Sequence, residues 1–114
     1  MFEEPQAGFV QTLVDEDAHL EGAPRIYGPF DVIVRGTSAG GERFEVETAL
    51  DDLSAEDCNL RLEQEVETGA RLFLVARLHK ALVAMHVVVL RAERQSVDGL
   101  YCLSLGIIHN RFLS

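Results

Sequence analysis

The sequence predicts an all-β domain, a six-stranded antiparallel β-barrel, on three observations. Apolar and polar residues alternate with a period of two in several short runs, which is typical of half-buried strands. Turn residues separate these runs at short intervals, a pattern that fits an antiparallel barrel or sandwich. The chain has 114 residues, enough for one domain. A barrel is favoured because closing the sheet leaves few exposed edges.

The first two predicted strands, residues 30–35 and 43–48, form a hairpin. Every second residue of each strand falls on one face, namely Phe30, Val32 and Val34, then Phe44, Val46 and Thr48. The glycine-rich residues 36–41 between them predict a hairpin loop. This loop also matches the G-x-S-x-G nucleophile elbow of hydrolases around Ser38, but that elbow requires a helix after the serine. An alternating strand follows instead, so we do not expect an enzyme.

The other four predicted strands are residues 58–63, 71–78, 82–93 and 100–108. The inward residues predicted for the first two of these are Cys58, Leu60 and Leu62, then Leu72, Leu74, Ala76 and Leu78. Residues 82–90 are apolar on both faces, so we expect both sides of that strand to be covered. Glycine-containing turns at residues 67–69 and 97–99 separate the later strands.

Composition and charge disfavour several classes of function. Ten Lys and Arg against 19 Asp and Glu leave a net charge of 10 − 19 = −9, which repels nucleic acid and anionic membranes. The first 20 residues lack the features of a secretory signal, and no apolar run is long enough to cross a bilayer. We therefore expect a cytoplasmic protein with Cys58 and Cys102 reduced. The four histidines show no metal-ligand spacing, and no metal is expected.

Residues 1–24 differ from the rest and are interpreted as an acidic N-terminal arm, ahead of a barrel domain of residues 25–114. Acidic residues cluster here: Glu3, Glu4, Asp15, Glu16 and Asp17. Four apolar residues have the spacing of a short amphipathic turn of helix: Phe9, Val10, Leu13 and Val14. We expect the arm to dock by these apolar residues.

One arrangement of polar residues carries a functional signal. Arg25 stands just before the first strand, and Asp52-Leu53-Ser54 stands between the second and third strands. This arrangement resembles the PilZ family of bacterial cyclic di-GMP receptors, which has an R-x-x-x-R segment before its first strand and a D/N-x-S-x-x-G segment about one hairpin later. The resemblance covers about residues 25–113. It implies a PilZ-like barrel in which Arg25, Asp52 and Ser54 contact the dinucleotide.

Two positions depart from the family pattern. Glu21 stands where the first arginine is expected, and Asp57 stands where the second motif closes with glycine. Losing one charge-assisted contact costs roughly 1.5–3 kcal/mol, so nucleotide binding is expected to be weak or lost. Two interpretations stay open: Asp52 and Ser54 contact a ligand, or they only stabilise a turn. Likewise, Arg25 contacts a ligand or pairs with the acidic arm, for example with Glu21.

The expected function is a non-enzymatic regulatory module of bacterial cyclic di-GMP signalling. The alternative is a nucleotide-independent adaptor that docks a protein partner through the strand at residues 82–90 or through the arm. The sequence leaves open whether the chain forms a homodimer. No cofactor is expected, and cyclic di-GMP is the one possible ligand.

Overall fold

Six β-strands close into an antiparallel barrel in the computed structural model, which describes residues 24–113. The strands are β1 (Ile26–Thr37), β2 (Arg43–Leu53), β3 (Asp57–Leu62), β4 (Arg71–Leu78), β5 (Ala81–Arg94) and β6 (Tyr101–Phe112). Residues 24–113 contain no helix, and therefore none that could cross a membrane. The predicted all-β class and six-stranded antiparallel barrel are confirmed.

The barrel is closed by two pairings between strands that are distant in sequence. Around the barrel the strands follow the order β1-β2-β3-β6-β5-β4, and β4 returns to pair with β1. β3 pairs with β6, for example Asn59 with Ser104, while the remaining pairs are between consecutive strands. Each strand is therefore paired on both sides, and the described barrel has no free edge.

Alternation along the strands builds the core, as the sequence predicts. Every residue predicted to face inward on β3 and β4 is buried: Cys58, Leu60, Leu62, Leu72, Leu74, Ala76 and Leu78. Val32 and Val34 of β1 join the same cluster. Each of these side chains moves its apolar surface out of water, which stabilises the fold by roughly 1.5–3 kcal/mol for a fully buried Val or Leu.

Tight turns lie where the sequence predicts them. Gly41, Gly69 and Gly99 have φ values of +91°, +91° and +75°, a backbone region that side chains with a Cβ rarely adopt. Gly41 belongs to the β1–β2 hairpin loop, Gly69 to the turn before β4, and Gly99 to the turn before β6. The predicted hairpin of β1 and β2 is thus confirmed, with β1 extending through Thr37.

Two predictions about strands need correction. β2 continues through Leu53, so Asp52 is the second-last residue of this strand and does not lie in the turn that follows. The expectation that both sides of β5 are covered is wrong for the described residues, since Leu90 is 56% exposed and His86 is exposed. The barrel wall is one layer thick, and only its inner face meets the core. The arm predicted over residues 1–24 lies outside the described residues, except for Pro24.

Candidate functional site at the β2–β3 turn

Strand pairing brings Arg25 to the end of β2. In the β1–β2 ladder Ile26 pairs with Leu53 and Tyr27 with Asp52, so the residue before β1 lies beside the turn between β2 and β3. There the Nη1 of Arg25 donates a hydrogen bond of 2.6 Å to Oδ1 of Asp52, and its Nη2 donates to Oδ1 of Asp57. One guanidinium thus joins two carboxylates, on β2 and at the start of β3.

Burial makes the two ion pairs unequal. The side chains of Arg25 and Asp52 are 26% and 18% exposed, while that of Asp57 is 42% exposed. Water screens the Asp57 pair more strongly because Asp57 is more exposed, and exposed ion pairs contribute little to stability. The Arg25–Asp52 pair is therefore the more stabilising of the two.

Ser54 organises the turn itself. It is 4% exposed, and its Oγ accepts hydrogen bonds from the backbone N–H groups of Glu56 and Asp57, both at 3.1 Å. The hydroxyl in turn donates to Oδ1 of Asp57 at 3.1 Å, the same oxygen that Arg25 binds. The turn-stabilising interpretation of Ser54 describes its contacts in this structure, and Asp57 connects it to Arg25.

The polar contacts continue along the outside of the barrel from β2 through β3 to β6. Asn59 donates from Nδ2 to Oδ1 of Asp52 at 2.8 Å, and Ser104 donates from Oγ to Oδ1 of Asn59 at 3.0 Å. We define the polar cluster as Arg25, Asp52, Ser54, Asp57, Asn59 and Ser104. Sequence reasoning missed Asn59 and Ser104, because nothing distinguishes an outward polar residue of a strand until its neighbours in the sheet are known.

Electrostatics of the cluster follow from its unequal charges. One guanidinium faces two carboxylates, which leaves a formal charge of −1. Burial alone would lower the pKa of Arg25, but hydrogen bonding and charge from Asp57, and then from Asp52, raise it. Arg25 therefore stays charged at neutral pH.

A buried thiol lies directly below this turn. Burial, followed by the negative charges of Asp57 and Asp52, raises the pKa of Cys58 to about 12, although Arg25 acts in the opposite direction. A thiol with so high a pKa is a poor nucleophile, because the thiolate is the reactive form. Cys58 belongs to the core.

The cluster has the chemistry of a binding site whose main donor is already engaged. Both donating nitrogens of the Arg25 fork bind carboxylates, so an anionic ligand must displace Asp57, Asp52 or both. Among residues 24–113 no group of three His, Cys, Asp or Glu side chains is arranged to hold a metal ion. Glu21, the other charged residue of the motif comparison, lies outside the described part of the chain.

Ser38, the serine of the hydrolase-like motif, occupies a different setting. Its Oγ accepts a hydrogen bond of 3.2 Å from the backbone N–H of Glu42, and its backbone C=O accepts one of 2.9 Å from Gly41. These contacts close the hairpin loop, and β2 follows at Arg43. The strand–turn–helix geometry of a nucleophile elbow does not occur here.

The barrel has a structural counterpart of known identity. No protein-family model matches the chain, and no curated protein matches it either. Among solved structures, the chain is similar to the inhibitor of motility MotI/DgrA of Bacillus subtilis, with a TM-score of 0.62 and 19% sequence identity. The match covers 75% of this chain and 41% of that one, so it spans less than half of the MotI/DgrA length. At this identity the similarity concerns the fold alone.

Proposed function

We propose that this chain is a non-enzymatic regulatory module of bacterial cyclic di-GMP signalling in which nucleotide binding is weak or lost. The observation that carries the proposal is the guanidinium of Arg25, held between Asp52 and Asp57 at the position where the family motifs would meet. A PilZ-like fold and the spacing of Arg25, Asp52 and Ser54 support the nucleotide class. The name of the structural neighbour, an inhibitor of motility, fits a regulatory use of such a barrel.

The charges of the cluster explain why binding would be weak. A nucleotide phosphate approaching Arg25 meets a site with one positive and two negative side chains. It must compete with Asp57 for the guanidinium while it is repelled by both carboxylates. The loss of one charge-assisted contact, about 1.5–3 kcal/mol, corresponds to roughly 10- to 100-fold in affinity.

Titration of the purified full chain with cyclic di-GMP by isothermal calorimetry tests the proposal. We expect binding no tighter than about 100 μM for the natural chain, and an increase of about tenfold or more for Asp57→Gly, which frees one side of the Arg25 fork. Arg61→Ala is the matched control, because Arg61 pairs with Asp51 at 2.9 Å outside the cluster. Arg25→Ala in the Asp57→Gly background should abolish the gained binding.

Two results would contradict this assignment. Micromolar binding by the natural chain that Arg25→Ala abolishes would show that Asp57 does not weaken the site. No binding by either the natural chain or Asp57→Gly would remove cyclic di-GMP as the ligand. The second result would favour the alternative function, a nucleotide-independent adaptor, for which the exposed Leu90 on the outside of β5 is the supporting observation.

A further inference from the structure

The outside of β4 and β5 carries mostly half-buried apolar side chains, with the exposed His86 between Ala84 and Val88. Residues between the inward positions of these strands point outward, and the registers place Val75 beside Ala84 and Ile33 beside Val75. We define the outer apolar face as Ile33, Phe73, Val75, Leu82, Ala84 and Val88. A shallow cavity of about 330 Å³ lies at one end of it, lined in part by Ile33, Val75 and Leu82. An apolar surface of this kind on a one-layer barrel is a candidate docking site.

Basic side chains surround this face. Arg71 pairs in register with Val88, Arg77 with Leu82, and Arg111 with Ala84. Within residues 24–113 none of these three arginines takes part in an ion pair. Acidic residues are also present at the cavity end, where Asp31 and Glu47 line the cavity together with Arg77.

Other charged and titratable side chains lie along the same face. Arg35 lies over the ring of Phe73, with 5.5 Å between its Cζ and the ring centroid, and also pairs with Glu45. His86 packs edge-on against Phe73 and lies opposite His109 on β6. The face is thus an apolar strip with mostly basic edges.

The basic charge of these edges favours an acidic binding partner over a second copy of the barrel. In a symmetric pair of barrels joined by this face, each copy would bring the same arginines to one interface, and like charges placed together in an interface cost free energy. An apolar segment followed by acidic residues would instead match both the strip and its edges. The barrel has no free edge strand to offer another copy.

This chain contains such a segment just ahead of the barrel. Phe9, Val10, Leu13 and Val14 are followed at once by Asp15, Glu16 and Asp17, and residues 1–23 contain six acidic residues and no Lys or Arg. The start of β1 lies at the same end of the barrel as the β4–β5 hairpin, since Phe30 contacts His79 in that hairpin, while Arg25 just before β1 contacts the β2–β3 turn. Six residues separate Asp17 from Pro24 and can span roughly 20 Å when extended.

We propose that residues 9–17 bind to the outer apolar face of the same molecule, with the apolar residues on the strip and Asp15, Glu16 and Asp17 beside its arginines. Ala84 lies about 10 Å along β5 from the β4–β5 hairpin, which is at the barrel end where the described chain begins. The segment would remove the outer apolar face from water and pair the arginines that have no acidic partner within the barrel.

Photo-crosslinking of the full chain tests this placement. A p-benzoylphenylalanine at position 9, in place of Phe9, should crosslink within one molecule to peptides of β4 or β5, as mapped by mass spectrometry. The double variant Val75→Glu, Val88→Glu should reduce this product by about tenfold or more. Val97→Glu is the matched control, because Val97 is fully accessible in the β5–β6 turn and should leave the yield unchanged. The same photo-residue in place of Phe2 should crosslink to this face much less.

Two kinds of outcome overturn the proposal. A product of twice the chain mass would mean that the segment binds another copy. Crosslinks scattered over the barrel, or equal yields in the double variant and the control, would mean that the face does not hold the segment. If circular dichroism shows that the double variant does not fold, Arg71→Glu, Arg77→Glu replaces it, because these exposed side chains can change without affecting the core. The same loss of product is then expected.

Discussion

Two turns of this barrel contain a serine in a motif-like sequence, and their surroundings differ. In the β1–β2 loop, Ser38 is half-buried and its hydroxyl accepts a hydrogen bond from the backbone N–H of Glu42 in the same loop. In the β2–β3 turn, Ser54 is buried and contacts Asp57, whose carboxylate binds Arg25 from 32 residues earlier in the chain. Both serines stabilise a turn by the same local chemistry. A contact from a distant part of the sequence distinguishes the candidate site from the ordinary loop.

The largest effect is expected below the β2–β3 turn, at Cys58. Its pKa is raised from an ordinary value of 9.0 to about 12, so the unfolded chain loses this proton first as the pH rises. Between these values the folded state binds more protons, and stability therefore falls with increasing pH. Between pH 8 and 11 we expect a loss of about 2.5 kcal/mol in the free energy of unfolding, measured with urea.

The Cys58→Ala variant isolates this contribution from other groups that titrate in alkali. At pH 8 the free energy of unfolding of this variant is lower than that of the natural chain, because a buried sulfur is removed. Between pH 8 and 11 it should fall by about 2.5 kcal/mol less than that of the natural chain. Cys102→Ala is the control, since Cys102 is less buried. Equal slopes for the natural chain and Cys58→Ala would show that the thiol is not held protonated beneath the turn.

The next largest effect is expected from a comparison of Arg25 with Arg61, two of the arginines that pair with carboxylates of β2. Arg25→Met leaves Asp52 and Asp57 without their shared cation, and we expect a loss of about 2 kcal/mol in the free energy of unfolding. Arg61→Met breaks the pair with Asp51, in which Arg61 is 44% exposed, and should change stability by less than about 0.5 kcal/mol. Urea unfolding at pH 7 measures both, and equal losses would mean that the cluster is no more than a surface ion pair.

The sequence predicts those features of this barrel that depend on one strand alone, and it does not predict those that depend on how the strands pair. Strict alternation over 71–78 predicts β4 with its observed bounds, because each inward residue reports its own burial. The end of β2 was missed because the ladder between β2 and β3 shifts register between Leu50 and Asp52. Alternation also could not show that Leu90 is exposed on a one-layer wall, since apolar composition alone does not say what lies outside.

The candidate site divides in the same way. The motif order indicated Arg25, Asp52 and Ser54, and the structure places Arg25 against Asp52 and connects Ser54 to them through Asp57. The motif comparison identifies Asp57 only as a replacement for glycine, whereas the structure shows that it is the second partner of Arg25. A motif comparison shows that the usual residue is absent at a position. The contacts of the residue that replaces it become visible only in the assembled sheet.

The smallest expected effect on stability comes from a comparison of alanine substitutions at Ser54 and Ser38. Ser54→Ala removes an oxygen that accepts two backbone hydrogen bonds in a buried turn, and buried N–H groups without a partner are costly. We expect a loss of about 1–1.5 kcal/mol in the free energy of unfolding at pH 7. Ser38→Ala removes one hydrogen bond in an exposed loop where water can replace it, so the loss should stay below about 0.5 kcal/mol. Equal losses in urea unfolding would mean that the connection of Ser54 to Arg25 adds nothing to a turn that its hydroxyl already stabilises locally.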